Sequence, residues 1–581
     1  MQQKSWFWPS LAGLILVFLT VLLGYLALTD SLTTDEKAHL PAGVSYVTLL
    51  DSRLNPEHPP LMKIFTGLSV ELFTHAKLPV LDSVWQGTNQ QTEFADRFVS
   101  TNQSIHHQII VSGRLPFICL TVVFGLLLYL WLSRRYSQPI GLIGLALYAF
   151  SPTIISHGHL VTFDVPAAFG YFITLISFNA FVYMPSARRA TVAGLCLGVA
   201  LLIKFSALLL IPILFLSLIL WLLIRRPRAP KVLIWQFLFS LLISLTVVLC
   251  VYQAVTWHYP SAKNRSDILV ATEGYGHRSI ISLSADLAGN RLTQPLGQYL
   301  FGAILTAHRS DSGTPSYFLG QVTNSGDHRY FPVLLATKET LPTVIVLILG
   351  LLIVLGNLMF KGKKRSTIVW SAWLEENFTV CLIGITIVAY WVLAIISPLN
   401  IGYRHVLPTI PLLIILVCQP LNQWLSTGRG DQHWLRPAII GGLIVWGFLE
   451  LMSSYPYVLN YYNELAGGPA LGYRVAVDSN YDWGQDLLRL AAFVKQNKIT
   501  QLKLDYFGGD EPAVYLGSTY QHWQSNMGPV SGWFAISATI RQDATGIHRS
   551  DSLIGAADQY QWLSGQRPVA QIGSIFVYHL P

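Results

Sequence analysis

The sequence predicts a polytopic α-helical membrane protein with about eleven transmembrane helices and a small C-terminal α/β domain. Of the 581 residues, 52% are hydrophobic and only 12% are charged, whereas soluble globular proteins carry about 25% charged residues. Apolar runs of roughly 18 or more residues recur along the chain, which is close to the length that a helix needs to cross a bilayer. After the last run, the pattern changes to short β-rich stretches bounded by Gly and Asp.

The first predicted span covers residues 6–28. It is too long for the core of a signal peptide, and no small-residue cleavage site follows it, so we expect it to be retained as a transmembrane helix. The other predicted spans lie near residues 114–133, 139–156, 160–183, 189–204, 206–224, 232–254, 341–360, 378–397, 405–420 and 437–453.

Compact basic clusters separate alternate spans and fall on one side of the membrane when the spans are counted in this way. The positive-inside rule makes that side cytoplasmic, so we predict a multi-pass protein of the plasma (inner) membrane with its N-terminus inside and its C-terminus outside. The net charge of +8 is then mainly a topology signal and argues against nucleic acid as a partner. The clusters are Lys4, Arg134 with Arg135, Arg188 with Arg189, residues 225–228, residues 361–365, and Arg429 with Arg436.

The same topology places the large hydrophilic segments on the outer side. We predict a transmembrane domain, residues 1–454, with outer loops at 29–113 and 255–340, and an extracytoplasmic α/β domain at 455–581. In that second domain the pattern predicts a helix that begins at Asp482 and three strands. The predicted strands cover residues 501–508, 532–540 and 573–580.

An adjacent pair of acids, Asp35 and Glu36, follows the first span in the stretch TTDEKAHLPAG. A carboxylate there could act as a general base towards an acceptor hydroxyl or amine, or bind a divalent cation. Neighbouring residues on a helix point about 100° apart, so one acid can face a cavity while the other faces a packed neighbour. The alternative is that both acids are exposed and simply mark the end of a helix.

A second acid, Asp164, lies about one turn inside the fourth predicted span, in the stretch HGHLVTFDVP. An ionisable residue at membrane depth is costly and predicts a functional site, although an acid that caps the helix near Pro166 is the alternative. His157 and His159 precede it. Together with Asp164 they could bind a metal or a substrate, but this spacing is a weak metal signal, so a divalent cation stays an open possibility.

Two stretches of the sequence carry basic residues that could bind a phosphate group. Lys63 follows His58 and two prolines, in the first turn of an amphipathic helix, where its ammonium group could reach a lipid phosphate or snorkel at the interface. Arg404 and His405 begin a span on the outer face, against the positive-inside bias. Arginine suits bidentate phosphate recognition, and pairing with a lipid headgroup is the alternative.

The stretches DEKAHLPAGVSYVTLLDSRLNPEHPPLMK and SPTIISHGHLVTFDVPAAF, followed by GYRHVLPTIP, resemble one known group of enzymes. They look like the phospholipid-carrier-dependent glycosyltransferases of the GT-C fold, which include protein O-mannosyltransferases and the lipid A aminoarabinose transferases. The resemblance implies transfer of a sugar from a polyprenyl-phosphate donor to a protein, lipid or glycan acceptor at the outer face, with inversion at the anomeric carbon, in building the cell envelope.

The resemblance also implies residue roles. Asp35 would be the catalytic base with Glu36 in support, and Asp164 matches the second acidic position of the family. Lys63 and Arg404, with His405, would hold the donor phosphate, which needs no nucleotide cofactor. The sequence departs from the aminoarabinose transferases at His58, where they have a lysine before the paired prolines. Residues 255–340 are also too few for the β-trefoil domain of eukaryotic protein O-mannosyltransferases.

Two other functions stay open at this point. A transporter or flippase of lipid-linked sugars could use the same acids and cations, although no internal repeat or broken helix is evident in the sequence. A non-catalytic scaffold that recruits partners through its C-terminal domain is the third. Asp482, Trp483 and Asp486 in that domain could contact sugar, but a structural role is favoured for them.

Overall fold

The computed structural model describes residues 6–81, 83–88, 90–227, 229–362, 367–427, 434–552, 560–563 and 565–581. In its first half the helices are α1 (Phe7–Thr29), α2 (Thr34–Thr48), α3 (Leu61–Thr74), α4 (Ser83–Gln86), α5 (Gln91–Thr101), α6 (His106–Arg135), α7 (Gln138–Ala149), α8 (Pro152–Gly158), α9 (Asp164–Tyr183), α10 (Ala187–Leu201), α11 (Leu210–Arg225) and α12 (Pro230–Val255).

Helices continue through the second half, where short strands join them. The helices are α13 (Ser261–Ala271), α14 (Arg278–Ala288), α15 (Gln294–Ser312), α16 (Tyr330–Lys338), α17 (Leu341–Gly362), α18 (Thr367–Glu376), α19 (Phe378–Ile396), α20 (Ile410–Ser426), α21 (Leu435–Ser453), α22 (Leu487–Gln496), α23 (Pro512–Leu516) and α24 (Ala538–Thr545). The strands are β1 (Ser316–Phe318), β2 (Gln321–Thr323), β3 (Leu502–Asp505), β4 (Tyr520–His522), β5 (Gly532–Ser537), β6 (Ile547–His548), β7 (Ala570–Ile572) and β8 (Ile575–Leu580).

The long apolar helices make the chain an integral, multi-pass membrane protein. Within the described residues, 8 helices are long and apolar enough to cross a membrane, and up to 10 if two bent helix pairs, α7 with α8 and α16 with α17, each count as one span. Each predicted apolar run coincides with one of these or with α10. The predicted count of about eleven is not reached because α10 has only 15 residues and, at about 1.5 Å per residue, is shorter than the bilayer core.

The predicted orientation stays a prediction. Several basic residues lie at helix ends as expected, for example Arg134 and Arg135 in the last turn of α6 and Arg225 in the last turn of α11. Lys4, Arg228, Arg429 and residues 363–365 of the predicted cytoplasmic clusters lie outside the described residues.

Helices α2 and α3 cross in close backbone contact. A Cβ atom added to Gly67 would lie 2.0 Å from the carbonyl oxygen of Gly43, so only glycine fits at this crossing. The contact turns Lys63 towards the protein, where it is buried, and leaves Phe65 and Leu72 of α3 exposed. The apolar face that the sequence predicts for this helix therefore faces outwards, as expected of a helix that lies in the membrane interface.

The three strands predicted near the C-terminus are present in a five-stranded sheet of order β4-β3-β5-β8-β7. Strand β3 runs parallel to β4 and β5, and β8 runs antiparallel to β5 and β7. The helix predicted to begin at Asp482 begins instead at Leu487. Asp482 does not cap it because its carboxylate accepts a hydrogen bond of 2.8 Å from the backbone N–H of Thr539.

The C-terminal part of the chain holds the loop that follows α1. The backbone N–H groups of Ser31 and Thr34 donate to the carbonyl oxygens of Gln485 and Trp483, at 3.0 and 3.2 Å. The backbone N–H of Leu32 donates to the Asp510 carboxylate at 3.0 Å. These contacts join residues more than 400 positions apart, so the proposed division at residue 454 separates segments that share one packed interface.

A buried lysine, Lys338, ties the C-terminal segment to α16. Its ammonium group donates to the carbonyl oxygens of Leu459, Tyr461 and Asn480 at 3.0, 2.7 and 2.7 Å. Its three protons therefore satisfy three backbone acceptors that have no access to water.

We expect Lys338→Met to destabilise the protein by about 2–4 kcal/mol, because three buried carbonyl groups lose their donor. Thermal unfolding of the purified protein in detergent measures this. Lys495→Met, at an exposed lysine of α22, is the matched control and should change stability by less than about 0.5 kcal/mol. An equal effect of the two substitutions would contradict the anchoring role of Lys338.

Candidate functional site

A cavity of about 490 Å³ opens at the end of the bundle where α9 and α11 begin and α19 ends. One part of its wall is apolar and another is densely charged, with equal numbers of carboxylates and cationic side chains. The charged residues are Asp35, Glu57, Asp164, Lys204, Arg309 and Arg404, and the histidines are His39, His58 and His405. The apolar wall includes Phe163, Phe205, Leu208, Leu209, Phe331, Leu393 and Ala394.

Asp35 lies in the first turn of α2 and faces this cavity. Its side chain is 23% exposed, and its Oδ2 accepts a hydrogen bond of 2.7 Å from Nη1 of Arg404. Burial is the largest single influence and raises the pKa of Asp35, but Arg404, His39 and Arg309 together outweigh it and hold this pKa below its usual range. Asp35 is therefore an ionised, accessible carboxylate, which is what a general base requires.

Asp164 begins α9 and is almost fully buried. Its Oδ1 accepts a hydrogen bond of 2.6 Å from Nζ of Lys204, and its Oδ2 lies 3.6 Å from Nη1 of Arg404. The same arginine nitrogen thus lies between Asp35 and Asp164. The structure brings together the two acids and the arginine that the topology predicted to share one membrane surface.

Arg404 has its guanidinium group fixed on three sides. Besides the two acids, Ser479 accepts a hydrogen bond of 3.1 Å from its Nε. The indole ring of Trp483 lies under the guanidinium group, 4.2 Å from ring centre to Cζ. The Arg404 side chain is only 8% exposed, so each of these contacts is made with little competition from water.

Glu36 is turned away from the cavity. Its carboxylate is fully buried and forms a two-point ion pair with Arg114, with distances of 2.8 and 2.6 Å. It also accepts hydrogen bonds from the backbone N–H groups of Thr33 and Val161 at 3.0 and 2.9 Å. With all its oxygen atoms occupied, Glu36 supports Asp35 by fixing the start of α2, and direct catalysis by Glu36 stays a prediction without geometric support.

Lys63 is also not brought to the cavity. Its ammonium group is fully buried and donates to the side chains of Tyr46 and Asn55, at 3.0 and 3.1 Å, and to backbone carbonyls of Asn55 and His58. These acceptors hold the loop before α3 in place. The lysine that lines the cavity and pairs with Asp164 is instead Lys204, so the phosphate role predicted for Lys63 stays a prediction without geometric support.

Four predicted histidines take different places. His58 and His405 line the cavity. His157 is buried with its ring edge against Trp483, at 5.7 Å between ring centres. His159 lies between the carbonyl of Ile155 and the carboxylate of Asp30, both at 3.0 Å, so it connects α8 to the end of α1.

The structure does not gather these histidines into a metal site. In the part of the chain that the structure describes, no three His, Cys, Asp or Glu residues are placed to hold one metal ion. The cavity carboxylates are neutralised by Lys204 and Arg404 instead. A divalent cation therefore has no preformed ligand set among the described residues.

His39, one turn after Asp35, lines the cavity although the sequence analysis did not select it. Burial lowers the pKa of His39 to about 4, so the ring is neutral at pH 7. Its Nδ1 lies 2.7 Å from the carbonyl oxygen of Val161 and must be the protonated nitrogen, which leaves the lone pair on Nε2.

Lys204 and Arg309 also line the cavity, although neither was among the predicted site residues. Lys204 stands alone among apolar residues in LLIKFSALLL, and an ionisable residue in such a run is a functional signal that could have found it. Arg309 is paired with Glu57 at 3.2 Å and is half exposed. Its position within the long predicted loop 255–340 gave no signal, because the positive-inside bias applies to short loops and to residues close to the span ends.

Residues 98–256 match a family model described as "Dolichyl-phosphate-mannose-protein mannosyltransferase". The match covers about a quarter of the chain and includes Arg114, Asp164 and Lys204. It confirms, over that range, the resemblance to membrane glycosyltransferases that the sequence predicted. Among curated proteins, none matches this sequence.

The chain also aligns with solved structures at low sequence identity. ArnT from Cupriavidus metallidurans bound to undecaprenyl phosphate is 14% identical, with 99% of this chain and 98% of that chain covered and a TM-score of 0.46. The oligosaccharyltransferase AglB from Archaeoglobus fulgidus, in complex with an inhibitory peptide and a dolichol-phosphate, is 11% identical, with 94% and 72% covered and a TM-score of 0.48.

We expect Glu36→Gln to lower stability by about 3–5 kcal/mol, because Arg114 loses the charge that compensates it in a fully buried position. Thermal unfolding in detergent measures the loss. The matched control is Glu71→Gln, at an exposed acid that pairs with His75 on α3, which should cost less than about 0.5 kcal/mol. A Glu36→Gln protein of unchanged stability that had lost activity would instead indicate a direct catalytic role for Glu36.

Proposed function

We propose that this protein is a membrane glycosyltransferase that moves a sugar from a polyprenyl-phosphate donor to an acceptor at the outer face of the plasma (inner) membrane. The observation that carries the proposal is the cavity, which places an ionised, accessible carboxylate beside three cationic side chains and an apolar wall. The family match over residues 98–256, to dolichyl-phosphate-mannose-protein mannosyltransferases, supports the same reaction class.

In the proposed reaction, Asp35 acts as the base. The acceptor hydroxyl or amine attacks the anomeric carbon of the donor sugar and gives its proton to the Asp35 carboxylate as the new bond forms. The bond between the anomeric carbon and the phosphate oxygen breaks, and its electron pair leaves with the polyprenyl phosphate. Attack from the side opposite the phosphate inverts the configuration of the anomeric carbon.

The developing charge on the phosphate needs stabilisation, which cationic groups held in advance provide without reorganisation. We assign this role to Lys204, Arg404 and Arg309. In the structure each of them is paired with an acid, Asp164, Asp35 or Glu57. The donor phosphate would compete for these pairs and join the network through the cations, while the apolar wall accommodates the first isoprene units.

Arg404 has two tasks in this proposal. It is the strongest of the groups that lower the pKa of Asp35, and it lies close enough to Asp164 and Lys204 to share the phosphate charge. When the phosphate pairs with Arg404, the interaction between Arg404 and Asp35 weakens. The pKa of the Asp35 carboxylate then rises, which makes it a stronger base. Donor binding would thus prepare the base for the acceptor proton.

The direct test of the proposal is a transfer assay. Purified protein is incubated with polyprenyl-phosphate-linked mannose or another lipid-linked sugar and a set of peptide, lipid and glycan acceptors. Mass spectrometry of the products should detect a new glycosidic bond together with released polyprenyl phosphate. Movement of the donor across proteoliposomes without any glycosylated product would overturn the proposal in favour of a transporter.

We expect Asp35→Asn to abolish transfer, by a factor of at least about 100, because the amide cannot accept the acceptor proton. Membrane insertion and thermal stability should stay near those of the wild type, since Asp35 is partly exposed. Asp311→Asn, at an exposed acid of α15, serves as the control and should retain full activity. Wild-type turnover in the Asp35→Asn protein would refute the base assignment.

Lys204→Met and Lys63→Met should differ in their effect on donor kinetics. We expect Lys204→Met to lower kcat/KM for the donor by roughly 10–1,000-fold, because a cation beside the phosphate is lost, and also to lower the unfolding temperature, because the buried Asp164 keeps only Arg404 nearby. Lys63→Met should mainly lower the unfolding temperature, since its buried acceptors lose their donor. Measuring donor kinetics and thermal unfolding for both variants separates the two roles, and the reverse pattern would restore Lys63 as the phosphate ligand.

A further inference from the structure

The residues that hold Arg404 come from outside the predicted spans. Ser479 and Trp483 belong to the C-terminal segment, whereas Arg404 precedes α20. The hydroxyl of Ser479 accepts from Nε of Arg404 at 3.1 Å and donates to the carbonyl oxygen of Ile401 at 2.8 Å. The indole ring of Trp483 covers the face of the guanidinium group.

The backbone around Arg404 is joined to the same segment. Asn480 accepts a hydrogen bond of 2.8 Å from the backbone N–H of Tyr403 and donates to the hydroxyl of Tyr330 at 2.8 Å. A Cβ atom added to Gly402 would lie 2.1 Å from Oγ of Ser479, so glycine is required for this approach. The segment 478–483 and the segment 401–404 therefore form one tightly packed unit.

We propose that Ser479 and Trp483 are positioning residues that hold the guanidinium group of Arg404 with its Nη1 towards Asp35 and Asp164. On this proposal the C-terminal segment completes the catalytic geometry and does more than cover the site. The inference rests on the proposed glycosyltransferase function and extends it to a part of the chain for which the sequence favoured only a structural role.

The physical reason lies in the shape of the arginine side chain. Its guanidinium group is planar, and its long stem leaves many orientations open. The Trp483 ring restricts the tilt of the plane, and the hydrogen bond from Nε to Ser479 restricts its rotation within that plane. Together these two contacts keep Nη1 of Arg404 directed towards the carboxylates. Removing either contact therefore lets the guanidinium group turn away from Asp35.

The position of Arg404 also affects the pH below which the reaction stops. The groups that lower the pKa of Asp35 against the effect of burial are the cations Arg404 and Arg309 and the titratable ring of His39. Asp478 is the nearby acid with which Asp35 interacts unfavourably. Arg404 is the largest of the lowering effects, so a misdirected Arg404 leaves burial dominant and raises the pKa of Asp35. The base would then become protonated, and inactive, at a higher pH.

Three variants and one control test the proposal. Trp483→Leu keeps an apolar side chain but removes the π face, Trp483→Phe keeps a smaller π face, and Ser479→Ala removes the acceptor for Nε. The control is Leu459→Ala, which removes packing from the same small hydrophobic cluster as Trp483 without changing a side-chain contact of Arg404. This substitution should lower the stability of the protein without changing the position of the Arg404 guanidinium group.

We expect Trp483→Leu and Ser479→Ala to lower kcat/KM roughly tenfold each and to move the acidic limb of its pH profile upwards by about one unit. Trp483→Phe should retain most of the wild-type kcat/KM and an acidic limb close to that of the wild type. Leu459→Ala should lower the unfolding temperature while leaving the acidic limb unchanged. If the limb stays at the wild-type pH in Trp483→Leu and Ser479→Ala, or moves equally in Leu459→Ala, the positioning role is wrong.

An experimental structure of the Trp483→Leu protein provides a readout that does not depend on activity. We expect the hydrogen bond between Arg404 and Asp35 to be lost in it, and an Arg404 in the wild-type position would overturn the inference by itself. The two proposals fail differently. Absence of transfer by the wild type refutes the proposed function, whereas transfer that needs Asp35 but is indifferent to Trp483 and Ser479 refutes only the positioning role.

Discussion

The buried ion pair between Glu36 and Arg114 is the interaction on which the site depends. Arg114 pairs with both oxygens of Glu36 and also donates to the carbonyl oxygens of Ala27, Asp30 and Ser31. It therefore fastens the end of α1, the following loop and the first turn of α2 to α6 with one side chain. Two charges buried without each other would cost several kcal/mol, so this loop has one stable arrangement.

That arrangement decides the direction of Asp35. With Glu36 locked into the protein interior, the residue before it on the same helical turn points about 100° away, towards the cavity. The C-terminal segment adds a second constraint, because Gln485 and Trp483 accept hydrogen bonds from the backbone of the same loop. Asp35 is thus held by its neighbours along the chain and by residues more than 400 positions later.

The sequence alone predicted that three of the cavity side chains share one end of the bundle. Counting spans and basic clusters placed Asp35, Asp164 and Arg404 on one face, and the structure brings these three side chains into contact. The alternation of side-chain directions also predicted that one of the two adjacent acids would face a cavity. It could not predict which one, because that depends on Arg114, a residue 78 positions away whose burial is a property of the folded bundle.

The two lysines show where local pattern fails. Lys63 lies on a predicted interfacial helix and was expected to reach a phosphate, but the close crossing at Gly43 and Gly67 rotates it inwards. Lys204 lies in an apolar run and was not predicted as a site residue, yet its ammonium group donates a hydrogen bond to Asp164. Spacing along the sequence reveals the face of a helix on which a charge lies, whereas the packing of that face is set by distant residues.

The balance of charges in the cavity explains how the fold can hold so many ionisable side chains beside an apolar wall. Three acids and three cations are paired there, so their formal charges cancel beside an apolar wall. On the proposed function, an anionic lipid phosphate would take cations from their acids, so that its binding and the activation of the base would be parts of one exchange. Such an exchange works only if the cation at its centre stays in position when its partner changes. The contacts of Ser479 and Trp483 with Arg404 do not involve either acid, so they would persist through that exchange and keep the guanidinium group in place.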